Sequence, residues 1–162
     1  MQDPHVPFFD RLRRLLPGPL PSDAFSRGTR ALERGRLDEA ESAFAEALAS
    51  AARPPEIAAV RNKRAIVAIQ RLELERAVDE LIAALEADPR SAAAITTTGN
   101  LLLEHGAVDE AIVHYEYAIA VDDGYAPAYH NMGVALHRSG RKREAVGMLR
   151  KATRLESRMR RP

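Results

Sequence analysis

The residues in this chain that could do chemistry are its histidines and its acidic pairs. His130 and His137 are seven residues apart, which puts them on one face of a helix but ~10 Å apart along its axis. A metal ion needs ligands ~2 Å away, so this pair cannot share one. His105 and His114 fall in different predicted helices. Asp109-Glu110 and Asp122-Asp123 stand at predicted helix starts, where carboxylates favour the helix dipole. The chain has no Cys, which removes disulfides, thiolate metal sites and a thiol nucleophile. It also lacks a glycine-rich phosphate loop, a GxSxG elbow and an HExxH pair. The sequence therefore points away from an enzyme and calls for no metal and no cofactor.

The elements that carry these residues are set by four alanines: Ala40, Ala77, Ala111 and Ala145, spaced 37, 34 and 34 residues apart. Around them the same spacing returns. Gly28, Ala31, Gly35, Ala40, Phe44 and Ala47 match Gly99, Leu102, Gly106, Ala111, Tyr115 and Ala118. Both sets match Gly133, Leu136, Gly140, Ala145, Leu149 and Ala152. Such a period marks stacked structural repeats, which build binding surfaces rather than enclosed catalytic pockets. Aromatics make up only 5% of the 162 residues and Trp is absent, a profile of close-packed helices rather than sheets. Gly35, Gly106 and Gly140 suit tight turns between paired helices. The small residue at Gly28, Ala65, Gly99 and Gly133 lets two helices approach, and Phe44, Leu81, Tyr115 and Leu149 fill the space beyond.

These residues resemble the tetratricopeptide repeat over roughly 21–159. The resemblance implies an all-α, right-handed α-solenoid of four helix-turn-helix repeats: 21–54, 58–91, 92–125 and 126–159. Residues 55–57 read as an insertion. A short N-terminal amphipathic segment with a Pro-rich connector (1–20) precedes the repeats, and a basic tail (160–162) follows them. Repeat two departs most, with Ala65, Leu72 and Leu81 in place of the helix glycine, the loop glycine and the aromatic. Repeat four has Lys142 where Leu37, Leu74 and Val108 stand earlier, as suits a terminal repeat facing water.

In this family the first helix of each pair lines a concave groove, and the resemblance carries that role onto particular residues here. Phe25 and Thr29 come from repeat one, with Asn62, Lys63, Ile66 and Ile69 from repeat two. Asn100 comes from repeat three, and His130, Asn131, His137 and Arg138 from repeat four. Phe25, Ile66 and Ile69 would offer apolar contacts. Asn100 and Asn131 could each give a donor and an acceptor to a peptide backbone. Arg138, with His130 and His137 when protonated, could take a carboxylate, like part of the clamp by which some tetratricopeptide proteins hold an acidic C-terminus. Thr97 interrupts a continuous Asn ladder.

The net charge of +1 conceals a split: residues 138–162 carry ten basic and two acidic residues, and 21–137 carry eleven basic and nineteen acidic. Three uses of the basic end stand open: a solvated end, contact with nucleic acid, or contact with the acidic face of another copy. Nucleic acid is disfavoured because no aromatics interleave the cations and the acidic body repels phosphate. A homo-oligomer would pair this end with Asp79, Glu80, Asp109 and Glu110. In the N-terminal segment Phe8, Phe9, Leu12, Leu15 and Leu16 face away from Arg11, Arg13 and Arg14. It could cap repeat one, enter a groove, or make weak membrane-surface contact through residues 7–16. No apolar run approaches the ~18 residues of a membrane span, and Pro17-Gly18-Pro19 stands where a signal peptide needs an apolar core. A cytoplasmic location follows, and the Arg and Ala bias suits a GC-rich bacterial genome. The function expected is a protein-interaction adaptor or scaffold that binds a partner peptide or helix in the groove. The alternatives are an assembly or secretion chaperone holding a client segment, and a self-assembling scaffold.

Overall fold

A computed structural model of the chain describes residues 23–159, and every regular element among them is an α-helix. The N-terminal segment 1–20 and the tail 160–162 lie outside the described residues. Eight helices follow one another: α1 Asp23–Glu33, α2 Leu37–Ser50, α3 Pro54–Gln70, α4 Leu74–Ala87, α5 Ala92–Glu104, α6 Val108–Val121, α7 Ala126–Arg138 and α8 Lys142–Met159. None of them is long and apolar enough to cross a membrane.

Each pair closes on the small-residue contact. Ala40, Ala77 and Ala111 are fully buried, and Ala145 nearly so. A methyl group at Gly28 would stand 2.6 Å from Phe44 Cε1, and one at Gly99 would stand 2.7 Å from Tyr115 Cε1. Both distances are far below van der Waals contact, so the rings occupy the space that a side chain on the first helix would need. Repeat two solves the same problem the other way. Ala65 carries the methyl, and the smaller Leu81 packs in the same cluster.

The turns inside the repeats share one hydrogen-bond pattern. Gly35 N–H donates to Leu32 O at 2.9 Å and Arg36 N–H to Ala31 O at 2.9 Å. Gly106 with Ala107, and Gly140 with Arg141, make the equivalent pairs. This double closure satisfies carbonyls that the helix end would leave unpaired, and it needs the first of the two donor residues to be left-handed. Gly106 and Gly140 both have φ +82. Leu72 makes the same pattern with φ +61, where its Cβ crowds the backbone.

Residues 55–57 belong to a helix and not to a loop. Pro54 and Pro55 occupy the first turn of α3, where a missing N–H costs nothing. Glu56 Oε2 accepts from the backbone N–H of Arg53 at 3.2 Å and of Ala52 at 3.3 Å. The extra residues lengthen α3 to 17 residues. At α5, Ser91 caps the helix by accepting from Ala94 N–H at 3.3 Å.

The repeats stack in two layers. The first helices touch in succession (α1 with α3, α3 with α5, α5 with α7), and each second helix touches the next first helix. The second helices keep their backbones apart, and Arg76 of α4 reaches Glu41 of α2 only through its long side chain. A layer whose members meet lies inside the curve of one whose members are splayed, so α1, α3, α5 and α7 form the inner face. The core divides accordingly. One large cluster joins repeats one and two around Phe44, Val60 and Val67, and another joins repeats three and four around Tyr115, Met132 and Leu136. A smaller cluster at Leu81–Leu101 joins repeats two and three, and Leu85 of α4 packs against another around Ile95, Ala118 and Ala128.

Repeats one and two are also joined by ions. Arg64 of α3 reaches Glu41 of α2 at 3.1 Å and Glu80 of α4 at 3.0 Å, and Arg61 reaches Glu80 at 3.0 Å. Arg76 closes on Glu41 from α4. The Glu80 side chain is only 7% exposed. The sequence reading placed Glu80 on an outer acidic face; instead it is buried between two guanidinium groups, because consecutive helix residues point ~100° apart and Glu80 turns inward from exposed Asp79.

Candidate functional site

The inner face gathers the sequence-predicted residues into two halves of different character. In the first half, Phe25 is half-buried, and its ring sits 5.9 Å from that of Phe44 at 59°. Ile66 and Ile69 are also half-buried, each packed against a core cluster. They show an edge to the inner face rather than a whole side chain. Thr29 turns its hydroxyl back to Phe25 O at 3.0 Å, and Lys63 is partly exposed. Asn62 is 95% buried and its Oδ1 has no hydrogen-bond partner. The equivalent residue on α5, Thr96, is likewise buried with an unpartnered hydroxyl. Asn62 therefore sits under the surface on which the pattern placed it, because α3 and α5 approach closely there.

The second half is polar and ordered. Asn131 Nδ2 on α7 donates to Asn100 Oδ1 on α5 at 2.7 Å. The Tyr115 hydroxyl on α6 donates to the same oxygen at 2.8 Å. One carbonyl thus receives two donors and has no lone pair left for a ligand. Asn100 does not offer both a donor and an acceptor, as its type alone suggests. It offers its amide N–H groups, while Asn131 keeps its carbonyl oxygen and one N–H. The pair is a polarised platform that bridges two repeats, with both side chains partly exposed.

Arg138 at the end of α7 is exposed, and its Nη1 donates to Leu103 O on α5 at 3.2 Å. That carbonyl lies in the last turn of α5, so the guanidinium both caps a helix end and keeps further donors for a ligand. Burial pushes the Tyr115 hydroxyl up to about 12; Arg138 pulls against that shift and Glu104 adds to it. Tyr115 therefore remains a neutral donor throughout the physiological range. His130 and His137 are both exposed on α7. Among the described residues, no three His, Asp or Glu side chains come together as metal ligands.

Tyr115 was read from sequence only as a packing residue. The available signal was its hydroxyl, since the matching positions hold Phe44, Leu81 and Leu149.

Comparison with known families supports the resemblance read from the sequence. Models of the tetratricopeptide repeat match residues 25–92 and 126–158, and a model described as TPR repeat matches 99–140. The chain belongs to the tetratricopeptide repeat family. Solved structures of the same architecture include the crystal structure of MamA, with 20% identity and a TM-score of 0.59 over 93% of this chain and 86% of that one. PilF of Pseudomonas aeruginosa is 23% identical with a TM-score of 0.68, over 90% of this chain and 62% of the other. YrrB, described as a TPR protein with an unusual peptide-binding site, is 24% identical with a TM-score of 0.55, over 83% of this chain and 68% of that one. No curated protein matches the sequence. At these identities the solved structures speak for the fold, an all-α repeat solenoid, and the family makes the chain a protein-interaction scaffold in general terms.

Proposed function

We propose that this protein is an adaptor whose inner face binds an extended or helical segment of a partner protein. The observation that carries this reading is the Asn100–Asn131–Tyr115 triad. Three helices spend hydrogen bonds of 2.7 and 2.8 Å to hold two amides in a fixed orientation on a partly exposed surface. A peptide backbone presents alternating N–H and C=O groups. It could accept from Asn100 and donate to Asn131 without reorganising either amide, which lowers the cost of binding. Arg138 would take a carboxylate of the ligand beside this platform, with His130 and His137 adjacent on α7. Phe25, Thr29, Lys63, Ile66 and Ile69 would receive the apolar part of the segment, and Asn62 would line the floor beneath it.

The test starts from peptides selected on the wild-type protein by display of a random library. Their affinity is then measured for Asn131→Ala, for Arg138→Ala, and for Glu116→Ala at an exposed position of α6 as a control. Each lost hydrogen bond contributes ~1 kcal/mol and one to a charged group ~1.5–3 kcal/mol, so the two inner-face variants should bind about fivefold to a hundredfold more weakly. The control should bind as wild type. Inner-face variants with unchanged affinity and unchanged melting would rule the groove out.

A further inference from the structure

Two outer surfaces of the molecule have no use in the fold or in the groove, and they complement each other. On α4, Leu74, Val78 and Ile82 recur at every fourth residue and are 38%, 43% and 51% exposed. Glu75, Asp79 and Glu86 run along one edge of this stripe, all exposed. On α8, Val146, Leu149 and Thr153 form a shallow apolar groove edged by Arg150 and Arg154. Elsewhere many of the outward charges form ion pairs, such as Arg36 with Glu39 and Arg141 with Glu144. Among the described residues, however, no ion pair involves Glu75, Asp79, Glu86, Arg150 or Arg154.

The α8 groove has a structural equivalent inside the molecule. Val146 lies 34 residues after Ile112, which is 4% exposed because it packs with Met132 and Leu136 of the next first helix. The outer face of α8 is thus shaped to accept a helix. The described surface of α1 fits it less well. Arg27 is already paired with Asp23 and Glu46, and exposed Arg30 and Arg34 would bring like charge to Arg150 and Arg154. The acidic stripe of α4 fits in both respects. Each charged edge lies on the same rotational side of its apolar stripe, so the two edges meet when the helices run antiparallel.

We propose that a second copy of this chain docks its α4 stripe, antiparallel, on the α8 groove. The contact pairs Leu74, Val78 and Ile82 with Val146, Leu149 and Thr153, and the acidic edge with Arg150 and Arg154. Because the two patches differ, the contact is heterologous, and a pair of copies still presents one free α4 and one free α8. Association then continues past the dimer and leaves the inner face open.

Sedimentation velocity tests this on the full chain. The wild type should grow beyond a dimer as concentration rises, and should fall back as salt approaches ~1 M, where screening acts within ~3 Å. Ile82→Lys removes only the α4 patch and Val146→Asp only the α8 patch, so each variant alone should stay monomeric with unchanged melting. Mixed in equal amounts, they should form a one-to-one dimer and nothing larger, since one intact patch of each kind remains. Three results would overturn the proposal: a wild type monomeric up to roughly 1 mM, a single variant that assembles like the wild type, or a mixture that stays monomeric. A symmetric dimer through α4 alone or α8 alone would fail the mixing step.

Discussion

Replacing Leu72 by Gly should stabilise this protein, although leucine is the residue found there. Three of the four turns inside the repeats place glycine in the left-handed region, at φ +69, +82 and +82, and the fourth places Leu72 there at φ +61. The hydrogen bonds are the same, with Leu72 N–H donating to Ile69 O and Glu73 N–H to Ala68 O, both at 2.9 Å. A left-handed backbone costs an L-residue ~1–2 kcal/mol through contact of its Cβ with the following carbonyl. Glycine escapes that cost but gives up ~0.5–1 kcal/mol more chain entropy on folding. The Leu72 side chain is 83% exposed, so its removal takes almost nothing from the core. The balance is a gain of ~0.5–1 kcal/mol, which for a domain of this size raises the melting temperature by about 1–4 °C. Urea unfolding followed by circular dichroism checks it. The midpoint should rise with the slope unchanged, since the slope follows the surface exposed on unfolding. A midpoint that stays or falls at constant slope would refute the reasoning, because the exposed side chain would then be supplying energy that its surroundings do not explain.

Two further predictions concern the third repeat. Gly99→Ala should destabilise by ~1–2 kcal/mol, because its methyl would stand 2.7 Å from Tyr115 Cε1 and overpacking outweighs the better helix propensity. In a Tyr115→Leu background the same change should cost much less, as the natural Ala65 and Leu81 pair does, and a double-mutant cycle from urea midpoints would detect the coupling; equal costs in both backgrounds would contradict it. Tyr115 also fixes a pH dependence. Its folded pKa is raised above the unfolded value of ~10, so the folded state keeps a proton that the unfolded chain loses. Stability should be intact below about pH 10 and fall as pH rises toward about 12. Tyr115→Phe should flatten that decline in urea midpoints measured across the range, and an equally steep decline would place its cause elsewhere.

The alanine phase made most of the architecture legible, because helix pairing needs small residues at fixed spacing and nothing else satisfies that need. It sorted Ala40, Ala77, Ala111 and Ala145 into the core and put three glycines in the turns. What it could not supply was anything decided between helices that are far apart in sequence. Arg61 and Arg64 are separated from Glu80 by a turn and most of a helix, so the burial of that carboxylate depends on how α3 lies on α4. Asn62 is buried for a similar reason, the distance between α3 and α5. Residues 55–57 looked like an insertion because the interval was 37 rather than 34. Yet Pro-Pro-Glu after Arg53 is also a helix-start pattern, and the helix absorbed the extra residues in its first turn.

These between-helix contacts also explain why the two halves of the inner face differ. Repeats one and two are locked by a large apolar cluster and by Glu41 and Glu80 with their arginines. Repeats three and four are locked by another large cluster and by the triad at Asn100. Between them lies the smaller cluster at Leu81–Leu101, and Leu85 of α4 packs against the Ile95–Ala128 cluster of repeats three and four. A ligand that touches only Asn131 and Arg138 meets a platform fixed within one half. In the proposed binding mode, a ligand that also reaches Ile66 and Ile69 spans the junction between repeats two and three. In that mode the register of a bound segment would be set at the polar half, where Asn100 and Asn131 are held by their hydrogen bonds.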